Sequence, residues 1–265
     1  MNNIVVFPTF QCGLSCPYCR YQQQKDNKSI KYLGSNYFYN VEKELEPEKW
    51  IKLLHSFAPA SYDFSGGEPL RYSGIVPVLN SLPKWSITSN TLYYTKDIDL
   101  SRCAWWTASY HPHADEKAKK LFMDNIDEIR KFGVGVGVTL VAKPETLTNV
   151  LIAANEFAAK GFKVNIHPYY DDVNFSWYDH PKEMKILLQV PYLMYDTRLF
   201  TFKGIIGKGP CRAGENYFAI GPDGKIFRCL TDMLFGRKPI DHRILFNECS
   251  EKCYFPCDWV NRKGI

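Results

Sequence analysis

The chain has 265 residues, 45% of them apolar and 15% aromatic, which is enough to bury a large core and too apolar to stay disordered. Its 33 Lys and Arg against 28 Asp and Glu leave +5, spread along the chain instead of gathered in a stripe, so nucleic acid is not an expected partner. The opening run lacks a basic lead, and nowhere do about eighteen apolar residues follow one another. These features argue against secretion and a membrane-spanning helix, and for a cytoplasmic, reducing setting.

Taken in chain order, apolar and β-branched runs predict strands at 4–8, 62–65, 85–88, 104–108, 134–141 and 164–167. Helices are expected between them. Residues 47–57 place Trp50, Leu53, Leu54 and Phe57 on one face, with Pro47 suited to the first turn. Residues 114–132 do the same through Ala118, Phe122, Ile126 and Ile129, and 146–160 through Val150, Ala154 and Phe157 before stopping at Gly161. This alternation predicts βα units around a parallel sheet, an α/β fold.

The stretch 21–45 is polar and aperiodic and reads as a surface insertion. Beyond His167 a helix can form at 181–188, Pro191 interrupts it, and Gly204, Gly207 and Gly209 mark a hinge. Strands at 217–220 and 225–229 then flank Gly221-Pro222-Asp223-Gly224, a hairpin signal in which Gly224 takes the positive φ of the turn.

The nine cysteines fall into Cys12, Cys16 and Cys19; a lone Cys103, read as a small buried side chain; and Cys211, Cys229, Cys249, Cys253 and Cys257. An odd total in two dense groups, with no secretory signal, points to thiolate ligands instead of a disulfide framework. The first group directly follows the first strand, where parallel α/β folds present their chemistry. Three closely spaced thiolates can hold three irons of a cubane and leave the fourth iron open. Structural zinc is the competing reading for both groups.

Cys12-Gly-Leu-Ser-Cys16-Pro-Tyr18-Cys19 resembles the signature of the radical S-adenosylmethionine (SAM) superfamily, three cysteines spaced C-x3-C-x2-C with an aromatic residue before the third. Ser65-Gly66-Gly67-Glu68-Pro69 is similar to that family's Gly-Gly-Glu-Pro segment, and Thr88-Ser89-Asn90 to its threonine-asparagine-glycine segment, with Thr91 where the family has glycine. The resemblance implies a partial (β/α)6 barrel carrying a [4Fe-4S] cluster whose open iron chelates SAM. Reduction by an external low-potential donor such as flavodoxin or ferredoxin then cleaves SAM to a 5′-deoxyadenosyl radical. Tyr18, Gly66, Gly67, Glu68, Pro69, Thr88, Asn90 and Ser109 are the implied SAM-side residues, with the paired glycines letting the backbone approach a ligand.

Cys211 and Cys229 bracket the hairpin as in the auxiliary-cluster extension called SPASM, or its shortened form, twitch. The five cysteines are too few for two more clusters. One auxiliary [4Fe-4S] cluster is expected on Cys211, Cys229 and two of Cys249, Cys253 and Cys257, with the last two preferred. The expected organisation is a barrel over 1–200 and a small C-terminal β-hairpin iron–sulfur domain over 201–265.

His111, His113 and Asp171 are the candidate catalytic residues, gathered where the strands end. The competing reading makes both histidines polar loop residues capping the next helix, and a third ligand for a mononuclear metal is not indicated. Tyr110 and Trp106 line a pocket or pack. Among reactions, oxidation of a small polar molecule is favoured, with the auxiliary cluster accepting the substrate electron. Modification of a ribosomal peptide is the alternative, disfavoured because the first strand begins within four residues of the start and leaves no winged-helix leader-binding domain ahead of it. A non-catalytic iron–sulfur or zinc protein is the remote third reading.

Overall fold

The computed structural model describes residues 2–19, 41, 43–168, 205–206, 213–214, 217–234 and 252–253. Six parallel strands lie side by side in sequence order: β1 (Asn2–Val6), β2 (Ala60–Phe64), β3 (Trp85–Ser89), β4 (Cys103–Ser109), β5 (Val136–Ala142) and β6 (Lys163–Pro168). Each crossover of β2 to β6 is too long for a hairpin, and most carry a helix, as parallel pairing requires. The architecture is an open, partly barrel-like α/β sheet.

The helices follow their predicted faces. In α1 (Pro47–His55) Trp50 and Leu54 are buried, with Pro47 in the first turn where its missing N–H costs nothing. A helix that periodicity did not predict, α2 (Ile75–Ser81), contains Pro77. That proline sits in the first turn, so the helix tolerates it. In α3 (Glu116–Lys131) Phe122, Ile126 and Ile129 face the core and Asp115 caps the start by accepting from the Ala118 N–H at 2.7 Å. In α4 (Leu147–Ala159) Val150, Ala153, Ala154 and Phe157 are buried.

Strand alternation divides the sheet into two faces. Ile4, Val6, Tyr62, Phe64, Trp85, Ile87, Trp106 and Ala108 join the helices in one core. The opposite face carries Val5, Asp63, Ser86 and Trp105 in one row of paired positions, and Thr88, Thr107, Gly137 and Lys163 in the next. Trp105 lies against Gly135 and Gly137, where any Cβ would fall within 3 Å of its ring, and Lys163 stands 5.1 Å from that ring. Trp106, by contrast, is fully buried core.

The predicted hairpin forms, but its position is decided by tertiary pairing. Strand β8 (Tyr217–Ile220) lies parallel to β1 in the register Asn3↔Tyr217 through Val6↔Ile220, extending the main sheet beyond its first strand. Strand β9 (Ile226–Phe227) returns antiparallel, and Gly224 holds φ +79° in the turn. The return strand is shorter than the expected 225–229, because the chain turns after Phe227 into α5 (Leu230–Leu234). Strands β7 (Ile205–Ile206) and β10 (Lys252–Cys253) form a separate antiparallel pair. The expected helix at 181–188 lies outside the described residues, as does most of the insertion at 21–45. Among the described residues, no helix is long and apolar enough to cross a membrane.

Candidate functional site

The loops after β1, β2, β3 and β4 meet at one edge of the sheet. The loop from Phe7 to Cys19 is held by its backbone to the loop after β2: the Gly67 N–H donates to the Thr9 carbonyl at 3.0 Å, and the Glu68 N–H to the Gln11 carbonyl at 2.7 Å. This contact explains the paired glycines. A Cβ on Gly66 would lie 2.5 Å from the Thr9 carbonyl oxygen and one on Gly67 2.4 Å from that of Gln11, and Gly66 also has φ +129°. Both approached groups are backbone and cannot swing aside. The close approach seen at these glycines is that of the cysteine loop itself.

Glu68 is 1% exposed and is the hub of the site. One carboxylate oxygen accepts from the Leu70 N–H at 3.1 Å and the Ser89 hydroxyl at 2.8 Å, and the other from the Asn90 N–H at 2.7 Å. Burial outweighs these bonds and raises its carboxyl to about 7. Asn90 in turn accepts from the Leu92 N–H through its side-chain oxygen, at 3.0 Å, and brings its amide nitrogen to 4.0 Å from the Cys12 sulfur. Pro69, also buried, opens the short turn that Glu68 caps.

Thr91 follows Asn90 and is strained. It takes φ +62°, the left-handed region that a glycine enters freely and a β-branched residue does not. Its hydroxyl is buried without a hydrogen-bond partner.

The thiols of Cys12, Cys16 and Cys19 lie within electrostatic reach of one another. Burial pushes the Cys16 thiol up to about 12, and the neighbouring Cys19 and Cys12 add to the rise; Cys12 is raised chiefly by burial, with a contribution from Glu68. Three thiols on one short loop, each burdening another's ionisation, are a donor set that a cationic cluster would neutralise, and they fit three irons of a cubane.

His111 sits beside this group. Its Nδ1 is 3.3 Å from the Cys16 sulfur and 2.8 Å from the Tyr18 hydroxyl. The Tyr18 ring stacks on His111 at 6.2 Å and meets His113 edge-on at 5.5 Å, and the two imidazoles are 5.7 Å apart. Burial lowers both histidines, His111 to about 4, so both are neutral near pH 7. Two expectations are corrected here. The histidines do not cap the following helix, since Asp115 does. A third ligand for a mononuclear metal does exist: the ligand atoms of Cys16, His111 and His113 all lie within 4.8 Å of one another. Cys16 and His111 are 95 residues apart, which no spacing rule connects.

Thr88 and Ser109 lie on the face of the sheet away from the helices, opposite Thr107 and Thr139 respectively. The Thr139 hydroxyl and the Asn165 side-chain carbonyl, on neighbouring strands of that face, are buried without partners. Sequence reasoning missed these two and Asp63, whose carboxyl is raised by burial and eased only by a hydrogen bond from Ser86. The signal was available: each is a polar residue between two core residues of a strand. Tyr110 packs edge-on against Phe122 at 5.3 Å and Phe157 at 4.9 Å, and it also lines a small pocket with Leu14, Asn90, Leu92 and His111, as expected. Cys103 packs against the core, where burial raises its thiol to about 12.

In the second cysteine group, Cys229 is buried beside Ala213 and Tyr217, and its sulfur accepts from the Asp232 N–H at 3.4 Å. Cys253 lies on β10 opposite Ile205. Cys211, Cys249, Cys257 and Asp171 lie outside the described residues.

No family model and no curated protein matches the chain. Solved structures do. Streptococcus suis SuiB bound to the precursor peptide SuiA aligns with TM-score 0.62 and 14% identity, over 90% of this chain and 62% of that one. SuiB bound to S-adenosylmethionine aligns at 0.57 and 15%, with the same coverage. Native anSMEcpe with bound AdoMet and the Cp18Cys peptide aligns at 0.55 and 16%, over 92% of this chain and 74% of that one. The chain thus spans about three fifths of SuiB's length, 62%. Likeness at this identity is a likeness of fold.

Proposed function

We propose that this chain is a radical SAM enzyme acting on a peptide. The observation that carries the reading is the convergence of the Cys12, Cys16 and Cys19 thiols with the Glu68 and Asn90 segments at one sheet edge, where Asn90 reaches the Cys12 sulfur. It is supported by a shared fold with proteins solved bound to S-adenosylmethionine and to peptides. A reduced cluster held there would supply the electron for cleaving SAM to methionine and a 5′-deoxyadenosyl radical able to take hydrogen from substrate.

The chain's own residues do the rest. Cys12, Cys16 and Cys19 hold three irons. Gly66, Gly67, Glu68 and Pro69 lock the cysteine loop to the sheet, and Tyr18 shields it. Thr88, Asn90 and Ser109 present polar atoms along the edge where SAM would lie, and the unpartnered Thr139 and Asn165 atoms extend that row. His111, His113 and Asp171 are the candidates for proton transfer at the substrate. Residues 201–265 would add the auxiliary cluster through Cys211, Cys229 and two of Cys249, Cys253 and Cys257, fed by an external low-potential donor in the cytoplasm.

Oxidation of a small polar molecule becomes the second reading, kept by the hydroxyl-rich face around Asp63, Ser86, Thr88 and Thr107. One experiment tests both. Anaerobically reconstituted protein with dithionite and SAM is expected to release 5′-deoxyadenosine, and Cys16→Ser to abolish it; no release from the parent protein overturns the enzyme reading. Deuterium is expected to enter 5′-deoxyadenosine from a deuterated peptide mixture and not from deuterated polyols, and the reverse pattern would restore the small-molecule reading.

A further inference from the structure

Cys16, His111 and His113 converge more tightly than a cluster-binding loop requires. The Cys16 sulfur and His111 Nδ1 are 3.3 Å apart, and all three ligand atoms lie within 4.8 Å of one another. Zinc bonds of about 2.3 Å to sulfur and 2.0–2.1 Å to nitrogen, at a tetrahedral angle, place such ligands roughly 3.5 Å apart. Ligands on different irons of a cubane stand farther apart, because an edge of the cluster lies between them. The Cys16–His111 contact, a hydrogen bond, already has the separation that two ligands on a single ion would take, and His113 lies within reach of both.

The donor types agree. One thiolate with two imidazoles is a borderline-soft set, suited to zinc and poorly suited to magnesium or calcium. Two independent parts of the fold supply it: Cys16 from the loop after β1, and His111 and His113 from the loop after β4, with Pro112 between them stiffening their spacing. The Tyr18 ring lies against both imidazoles and limits their rotation. Its hydroxyl occupies the nitrogen that a metal would take, at 2.8 Å, and yields it when an ion binds.

We propose that the cluster-free chain binds one zinc ion through Cys16, His111 and His113, and that this ion must leave before the iron–sulfur cluster can assemble. Binding displaces the Cys16 thiol proton to solvent and forms one sulfur–zinc and two nitrogen–zinc bonds, with water in the fourth position. No electron is transferred. A sulfur committed to that zinc ion is withdrawn from the three thiols the cluster needs, so the two occupants exclude each other. The loop would thus carry a metal-exchange step in which zinc on Cys16 keeps the cluster from assembling. This site stands on side-chain positions alone, and it survives or fails whether or not the chain cleaves SAM.

Cadmium-113 is the probe, because its resonance separates one-sulfur, two-nitrogen sites from all-thiolate ones, including any formed by the C-terminal cysteines. The full-length, cluster-free protein, titrated anaerobically with cadmium, is expected to give a resonance in the one-sulfur, two-nitrogen region. That resonance should persist in the double variant Cys12→Ser with Cys19→Ser and disappear in His113→Ala, an exposed position whose loss leaves the fold intact by circular dichroism. His111→Ala should also remove it. If only all-thiolate resonances appear, or the signal survives both histidine variants, the site does not exist. In a second arm, one equivalent of zinc added before iron and sulfide is expected to slow cluster formation, followed by absorbance, at least fivefold in the parent protein. In His113→Ala the slowing should be largely lost. Equal slowing in both proteins would overturn the exclusion.

Discussion

The seam around Glu68 and the open face of the sheet around Asp63 each hold a carboxyl that burial raises, yet treat it in opposite ways. Glu68 is enclosed and accepts from three protein donors, Leu70, Ser89 and Asn90, so its polarity is consumed in joining the loop after β2 to the end of β3. Asp63 stands on the face that the helices leave uncovered, with Ser86 as its hydrogen-bonding side-chain neighbour and the unpartnered Thr139 and Asn165 atoms three and four strands away. The lesson is that polar groups at the seam hold the scaffold, whereas polar groups on the open face are left for something that is not protein.

The largest effect should come from Glu68→Ala. Removing it strands three donors in a dry site and should cost about 4 kcal/mol of stability, measured by urea unfolding of the cluster-free chain. Asp63→Asn, by the same measurement, should change stability by less than about 1 kcal/mol. Equal losses at the two positions would erase the distinction between seam and face.

The next effect is a pH dependence. Glu68 in the folded chain titrates near 7, above its ordinary 4.5, so the folded state holds the proton more strongly than the unfolded chain. Its contribution to stability is present below about pH 4.5 and lost as pH rises through 7, by about 3 kcal/mol. His111 and His167 act in the opposite sense, since burial lowers both to about 4 and stability is gained as pH rises from there toward 6.5. With two histidines set against one carboxyl, the parent protein should gain about 2 kcal/mol of stability between pH 4.5 and 7, and Glu68→Gln should gain about 3 kcal/mol more over the same range. Parallel melting-temperature profiles for the two proteins would show that the buried carboxyl does not titrate there.

The smallest effect is a gain. Thr91→Gly relieves a positive φ and deletes a buried hydroxyl without a partner, and should stabilise the chain by about 1 kcal/mol in thermal unfolding. A loss would mean that Thr91 packing outweighs its backbone strain.

Much of the scaffold could be read from pattern alone. The six strands and three long helices follow from period-two and period-3.6 apolar spacing, and the turn glycine Gly224 and the cysteine loop from local chemistry. The helix with Pro77 escaped because proline is read as a breaker, although in a first turn its missing donor has no partner to lose. The glycines at 66 and 67 were legible as points of close approach, whereas the main chain of the cysteine loop as one approaching group was not, since the sequence does not say which remote backbone comes near.

What the sequence determined by itself was therefore everything set by neighbours along the chain: the spacing of three thiols on one loop, the alternation that gives the sheet two unlike faces, and the positions where turns need glycine. What only the tertiary structure decided was which remote loops share an edge. Parallel pairing of β1 to β4 in order brings Cys16 to His111 and Glu68 to Asn90, and pairing of β8 with β1 makes the hairpin part of the main sheet. The reason is physical: local spacing constrains only distances spanned by a few bonds, whereas contacts across 95 residues are set by strand register and by the burial of one sheet face against the helices.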